Sequence, residues 1–551
     1  MFDHVDPQAI ADPALRGLVL ELLNLLERQA AQIAELTAEN QRLRDELNRL
    51  KGEQGRPHIR PAARARPRQL SSEAERRPPT PRPPRQEQAE LTVIREQVCR
   101  LDRASLPADA EFKGYEDVLV QELHVATETI RFRKEKFYSP SRGQTFLAPL
   151  PPGYDGQFGP DLRSFVLSQY FAANVSEPAL RRLLNYFGIA LSSGQLSNML
   201  TAQVGEFHAE SSAVLAAGLD SSFYQHLDDT STRVGGQNYA CHVLASPVYT
   251  AYRTTPGADR LSVLAALTDG QPPGYLFNAA VRRYLQAQGL AAKWLAKLAS
   301  WPLEQVLSEG ELNERLAEGI WTGLPVGAAK LLREGGALGA YRAQQAFAPL
   351  RVLVVDDAPT WEQLSPEIGL CWIHEGRHYK KLVPQVGHFR HLQARFLGRF
   401  WRYYRQLQEY QAAPSAARAT WLRRKFRRLF STVTGYGALD EVIARTQGKE
   451  AQLLLVLKYP QLPLHNNAAE QGARVRVRKR DVSFGPRSPA GLQAWDTFMT
   501  LVETTRKLGV NFHAFVRDRL RRLKQIAPLA DLVRQQAAAL NLTQPNPAPL
   551  F

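Results

Sequence analysis

The stretch Arg351-Val352-Leu353-Val354-Val355-Asp356-Asp357 is a continuous apolar run that ends in two acids. Aliphatic residues with no polar residue alternating between them read as a strand covered on both faces, so the acids fall at its tip. Acids stand in comparable settings on either side of it. Upstream, Tyr224-Gln225-His226-Leu227-Asp228-Asp229-Thr230 leads through Arg233-Val234-Gly235-Gly236 into Tyr239–Ala245 and then Val248–Tyr252. These read as three strands joined by short turns, an antiparallel meander with Asp228 at the end of its first strand. Downstream, Leu464-His465-Asn466-Asn467-Ala468-Ala469-Glu470 places an acid where a helix begins, and Arg474-Val475-Arg476-Val477-Arg478-Lys479-Arg480 follows it.

The order of these pieces carries the fold expectation. A three-strand meander with an acid, a helix over Asp259–Leu267, a strand ending in an acid, a further strand over Leu370–His374 and a helix with a third acid follow one another as in an RNase H-like fold. The expected class is therefore mixed α+β: an RNase H-like core with large helical insertions, an N-terminal coiled coil, and small β-rich and helical DNA-binding modules. In such a core the first and fourth strands adjoin and a late helix lays its acid against them. Three carboxylates can then bind two Mg²⁺ ions, which suits an in-line displacement at phosphorus. Each acid also has a plain structural reading. Asp228 and Asp356 fit strand-end turn acids, and Glu470 fits a first-turn acid favoured by the helix macrodipole.

Charge points to the same class of partner. The 551 residues carry a net charge of +16, with 44% hydrophobic content, and this combination suits a globular protein that binds a polyanion, nucleic acid above all. Candidate phosphate contacts are Arg474, Arg476, Arg478, Lys479 and Arg480 after Glu470, and Arg423, Arg424 and Lys425 in the basic, aromatic segment from His388 to Leu429. The same cations fit a solvated helix face. The three cysteines, Cys99, Cys241 and Cys371, form no CxxC pair, which argues against a disulfide framework or zinc finger. No apolar run approaches the roughly 20 residues of a membrane span, and Met1-Phe2-Asp3-His4 lacks a signal pattern. The expected location is the cytoplasm, on the bacterial nucleoid.

Six segments are expected. Residues 1–52 carry a heptad (Val19, Leu22, Leu26, Ile33, Leu36, Leu43, Leu47, Leu50) and read as a coiled-coil dimerisation helix, or else as a helix packed on its own domain. Residues 53–90 are rich in Pro and Arg and read as a disordered linker. Residues 91–152 read as a small β-rich module with strands at Val118–Val120, Glu122–Val125 and Thr129–Arg133. Residues 153–205 are helical. Ser176–Leu184 and Ser192–Leu200, with Gln195 and Asn198 outward, fit a helix-turn-helix DNA reader or an ordinary helical hairpin. Residues 206–510 form the catalytic domain, interrupted by helical insertions at about 268–349 and 385–460, and residues 511–551 a helical tail.

At these residues the chain resembles transposases of the insertion sequence 66 family. His226-Leu227-Asp228-Asp229-Thr230 is similar to that family's His-x-Asp-Glu-Thr motif. Val352–Asp356 and Cys371-Trp372-Ile373-His374 with Arg377 resemble its second acid and its Cys-x-x-His-x-x-Arg segment. Pro463–Glu470 resembles its Asp-Asn-Asn-x-x-Glu motif, with His465 where Asp is frequent, and Arg478-Lys479, Phe484-Gly485 and Leu501–Thr504 continue the match. The resemblance spans about residues 15–520. It implies a DDE-type DNA transposase that cuts and joins DNA at the terminal inverted repeats of its element and in target DNA. Asp228, Asp356 and Glu470 would bind Mg²⁺, with Mn²⁺ as a substitute, and His374 and Arg377 would assist. The family's zinc module carries paired cysteines where this chain keeps only Cys99, so no structural zinc is expected. The partners implied are DNA, a second copy of the chain through the coiled coil, and accessory proteins of the same element. Two alternatives stay open: a catalytically inactive DNA-binding derivative, and a stand-alone RNase H-like nuclease.

Overall fold

A computed structural model describes residues 6–51, 93–102, 106–107, 110–123, 125–202 and 204–545. The Pro/Arg-rich stretch at 53–90 lies outside the described residues.

The first helix, α1 (Pro13–Leu50), has two environments. Its N-terminal half lies on the protein's own body. Leu23 is buried, Asn24 donates to Gly435 O and accepts from Gly437 N, and Glu27 Oε1 accepts from the backbone N–H groups of Gln385 and Val386. The C-terminal half leaves Ile33, Leu36, Leu43, Leu47 and Leu50 exposed.

The next segment differs from expectation. Its strand pair is a hairpin of β1 (Lys136–Ser139) and β2 (Gln144–Leu147), with Phe137 opposite Phe146. Val118–Val120, Thr129–Arg133 and the described part of Glu122–Val125 are not in strands. Val118, Val120 and Leu123 are exposed; β-favouring residues cannot form a strand unless another strand receives their backbone groups. Helices α2 (Pro160–Leu167), α3 (Glu177–Tyr186), α4 (Ser193–Thr201) and α5 (Gly205–Ser221) follow. The expected pair α3 and α4 is present, and Ser192 and Gln195 close a reciprocal capping box at the start of α4.

The centre of the protein is a five-stranded mixed sheet of β3 (Tyr224–Val234), β4 (Gln237–Ala245), β5 (Thr250–Thr255), β6 (Val352–Val355) and β7 (Glu367–Leu370), in the order β5-β4-β3-β6-β7. The first three strands form an antiparallel meander; β6 and β7 add in parallel beside β3. All four residues of β6 are buried, as an apolar run without alternation requires. Between β5 and β6 lie α6 (Arg260–Leu267), α7 (Ala279–Ala287), α8 (Ala292–Leu298), α9 (Glu309–Ala317) and α10 (Val326–Ala343). The last four lie within residues 268–349, where Trp294, Trp301 and Trp321 pack together.

The strand expected through Leu370–His374 stops at Leu370, and Trp372 begins a helix, α11 (Trp372–Lys381). Short apolar runs do not separate strand from buried helix. Here tertiary contacts decide: Trp372 N donates to Leu464 O at 3.0 Å, and its ring packs against Phe400, Tyr403, Phe426 and Phe430. Phe400 and Tyr403 come from α12 (Gly387–Ala412), and Phe426 and Phe430 from α13 (Ala416–Phe430). α14 (Gly437–Gly448) and α15 (Glu450–Leu453) follow them within residues 385–460.

Helices α16 (Asn467–Ser483) and α17 (Pro489–Lys507) return to the sheet. Gly472 allows α16 to lie directly on β4, since a Cβ there would come within 2.7 Å of Val243 Cγ1. On α17, Thr504, Thr500 and Asp496 accept from the N–H groups of Thr250, Tyr252 and Thr254 on β5. Four residues of helix rise about 6 Å, nearly the length of two residues of strand. The helix thereby covers the free edge of the sheet, which would otherwise be open to another strand. Helices α18 (Phe512–Arg521) and α19 (Leu529–Ala539) end the described chain, and no helix among the described residues is long and apolar enough to cross a membrane.

Candidate active site

Three acids converge at one end of the sheet. The register of the parallel pair β3–β6 runs from Tyr224 opposite Val352 to His226 opposite Val354. Asp228 and Asp356 therefore both lie two residues beyond the last pair, on neighbouring strands and on the same side of the pleat. Glu470 comes from the first turn of α16, which packs across β3 and β4.

Asn466, immediately before α16, holds that helix to the strand. Its Nδ2 donates to Leu227 O at 2.8 Å, its Oδ1 accepts from His226 Nδ1 at 3.0 Å, and its backbone N–H reaches Cys371 Sγ at 3.3 Å. His226 is fully enclosed, and burial drives its pKa down to about 3. It is thus a neutral donor that orients Asn466, not a proton carrier.

Asp228 is the most perturbed of the acids. Burial first, then the charges of Asp356 and Glu470, push its pKa up to about 7, opposed only by a hydrogen bond from Asp229 N. Asp356 Oδ1 accepts from Trp361 Nε1 at 2.5 Å and from Ala358 N at 3.3 Å. Glu470 is buried and meets cations from two helices: Arg377 Nη2 at 3.4 Å and Arg474 Nη2 at 3.5 Å. His374 Nδ1 lies 3.6 Å from Glu470 Oε1, an ionic distance rather than a hydrogen bond. Arg377 Nη1 donates to His374 Nε2 at 2.9 Å, which leaves the His374 proton on Nδ1, facing Glu470. Burial lowers the His374 pKa, and Arg377 reinforces this against the opposite pull of Glu470.

The donor set suits a hard divalent cation, because carboxylate oxygens are its preferred ligands and Asp228 has no cationic partner of its own. The oxygens of Asp228, Asp356 and Glu470 do not all lie within 4.8 Å of one another. Glu470 is held by Arg377 and Arg474, and Asp356 by Trp361. Two other groups of three ligand atoms are that compact among the described residues. In Cys371–His374–Glu470, burial raises the Cys371 thiol to about 11, and its sulfur already accepts from Asn466 N. In Asp357–Glu375–His378, Lys449 Nζ already sits 2.7 Å from Asp357 and 2.9 Å from Glu375. That network ties Asp357, next to Asp356, to α11 and α14.

A cleft of about 430 Å³ opens over Asp228, His374, Arg377 and Glu470 and continues along Arg474 and Arg478. Both of these arginines are exposed, as is Arg424; Arg423, Lys425 and Arg480 are half-buried, and Arg480 donates to Ser231 O. Lys425 lies over the Trp421 ring. Two cations expected to face DNA do not. Arg476 is 1% exposed, pairs with Asp496 at 3.1 Å and stacks on Trp495. Lys479 is equally enclosed, lies over the Tyr170 ring and donates to Tyr170 O; burial brings its pKa down to about 7. Both point into the protein because they fall on the face of α16 that packs inward. In the α3–α4 pair Asn198 is exposed, whereas half-buried Gln195 is engaged by the cap of its own helix. Sequence reasoning assigned no task to Asn466, Trp361 or Lys449. Asn466 stands inside the motif already singled out; nothing local marks the other two.

A family profile described as Transposase IS66 family matches residues 342–494, a span that includes Asp356, His374, Arg377 and Glu470 but not Asp228. The uncharacterized protein y4jO of Sinorhizobium fredii (strain NBRC 101917 / NGR234) is 34% identical over 332 residues, covering 59% of this chain and 100% of that protein. No solved structure matches the chain. With the profile spanning the second and third acids and a relative matched over its whole length, this chain belongs to the IS66 transposase family.

Proposed function

We propose that this protein is a DDE-type DNA transposase with an RNase H-like catalytic core, in which Asp228, Asp356 and Glu470 hold Mg²⁺ or Mn²⁺. The observation that carries this reading is the register that sets Asp228 and Asp356 side by side at one end of the sheet, with Glu470 brought across by α16. The meander-then-parallel strand order supports the core assignment.

Bound divalent cations would lower the pKa of the attacking hydroxyl and stabilise the departing oxygen. The remaining work belongs to the chain itself. Asp228 must lose its proton to act as a ligand, which its pKa near 7 allows at neutral pH. Arg377 and His374 hold Glu470, and Arg474 and Arg478 line the cleft where a phosphate backbone would run. In the first step water adds to phosphorus as the bond to the 3′ oxygen breaks. In the second that 3′ oxygen attacks a target phosphodiester and expels another 3′ oxygen, so no external energy source is needed. Arg424 and Asn198 extend the DNA-facing surface, and the exposed leucines of α1 pair two copies. The protein acts on bacterial DNA in the cytoplasm, alongside accessory proteins of its element.

The test is strand cleavage and joining with the full-length protein, Mg²⁺ and the terminal repeats of its element. Wild type should release 3′-OH ends and join them to target DNA. Asp228→Ala, Asp356→Ala and Glu470→Ala should bind DNA and do neither. Cleavage without joined products would indicate a stand-alone nuclease. Binding without cleavage by wild type would indicate an inactive derivative.

A further inference from the structure

We infer that Phe484 is a base-stacking residue, which grips a nucleobase of the bound strand at the far end of α16 from the acids. This rests on the DNA-binding part of the proposed function and not on its chemistry. Phe484 ends α16 with φ +60° and donates its N–H to Arg480 O at 2.7 Å. That left-handed position normally takes Gly, because a side chain there is strained. The ring offsets none of that strain by burial, since it is 80% exposed.

The turn that presents it is anchored. Gly485 passes so close to the β3–β4 hairpin that a Cβ would come within 2.8 Å of Arg233 O. Pro486 is buried, and its carbonyl accepts from Gly235 N at 3.2 Å. The aromatic ring is therefore held out in solvent by a fixed loop. Beside it opens a groove of about 650 Å³, the far wall of which includes Ser176, Arg181 and Ser197 of the α3–α4 pair. Arg487 and Arg181 line the same groove as the ring, with Glu177 the one acid among its lining residues, and Arg233 and Arg487 are exposed. A rigid exposed aromatic amid cations is the arrangement on which bases stack while phosphates are held. Charge complementarity selects a nucleic acid over a protein partner.

The spacing fits. Glu470, Arg474 and Arg478 share the cleft face of α16, and the fourteen residues from Glu470 to Phe484 rise about 21 Å. Phe484 therefore meets a base several nucleotides along the strand from the phosphate nearest the acids.

The probe is a 20-nucleotide oligothymidine, fluorescein-labelled for affinity and carrying 5-iodouracil for photo-crosslinking, with the full-length protein. Wild type should crosslink within the tryptic peptide Asp481–Arg487. Phe484→Ala should bind about tenfold more weakly, and Phe484→Trp should bind like wild type. Unchanged affinity in Phe484→Ala, or crosslinks confined to other peptides, overturns the assignment. Neither readout requires cleavage, so a protein that stacks but never cuts sinks only the transposase reading. One that cuts while Phe484→Ala binds normally sinks only the stacking.

Discussion

Asn466 Nδ2 donates to the carbonyl of Leu227 at 2.8 Å, so the start of the helix bearing Glu470 is tied to the residue just before Asp228. Two acids 242 positions apart in the chain are thus set by one side chain. Asn466→Ala would leave the Leu227 carbonyl and the His226 Nδ1–H buried without partners. Each orphaned group costs about 1–3 kcal/mol, so urea denaturation should show a loss of roughly 3 kcal/mol, with strand cleavage lost as well. A loss under about 1 kcal/mol with normal cleavage would show that α16 is placed by packing alone.

Asp228 makes stability depend on pH in an unusual direction. Its pKa rises from 3.8 when unfolded to about 7 when folded. The unfolded chain releases this proton near pH 4, whereas the folded protein keeps it until about pH 7. Its contribution therefore falls as pH climbs through that window and is flat above it. In metal-free buffer Asp228→Asn should melt higher than wild type at pH 8, by on the order of 2 kcal/mol, and by little at pH 4. Adding Mn²⁺ should raise the wild-type Tm more at pH 8 than at pH 6 and leave Asp228→Asn nearly unmoved. An equal difference between the two proteins at pH 4 and pH 8 would mean that Asp228 is not neutral in the free protein.

The cations of α16 divide into two classes by angle. At about 100° per residue, Arg474 and Arg478 lie within about 80° of Glu470, whereas Arg476 and Lys479 lie about 120–180° away. Arg476→Ala strands Asp496 in the interior, where losing one partner of a buried pair costs about 3–5 kcal/mol. Arg478→Ala should change stability by less than about 0.5 kcal/mol and reduce the salt dependence of DNA binding by about one unit of slope. Salt titrations and denaturation curves on both variants separate these roles. A reduced slope in a folded Arg476→Ala would contradict the inward assignment.

The same helix shows what was legible in the chain. A carboxylate after an apolar run or in a first helical turn is a local signal, and Asp228, Asp356 and Glu470 do occupy one end of the sheet. The helical character of about 268–349 was legible too, and helices form there at Ala279–Ala287, Ala292–Leu298 and Glu309–Ala317. What was not legible depends on partners distant in sequence. The run from Arg474 to Arg480 looks uniformly basic until Asp496 and Tyr170 claim two of its members. Trp372 reads as strand until aromatics from α12 and α13 enclose it. Val118–Val120 reads as strand, yet no second strand meets it among the described residues.

The two halves of α1 should respond differently to mutation. Leu23 is 4% exposed against the protein's own body, whereas Leu36 and Leu43 are 63% and 52% exposed. A stripe of solvent-facing leucines on one face of a long helix suits pairing with a second copy. Wild type should sediment as a dimer or larger. Leu36→Glu combined with Leu43→Glu should sediment as a monomer, with the Tm of the body unchanged, because neither leucine packs against it. Leu23→Ala should do the reverse, keeping self-association while lowering stability by about 2–5 kcal/mol. A monomeric wild type would mean that α1 makes no dimer, and a double variant that still associates would place the interface elsewhere; either would leave the first half of α1 as a strap on the helices that follow β7.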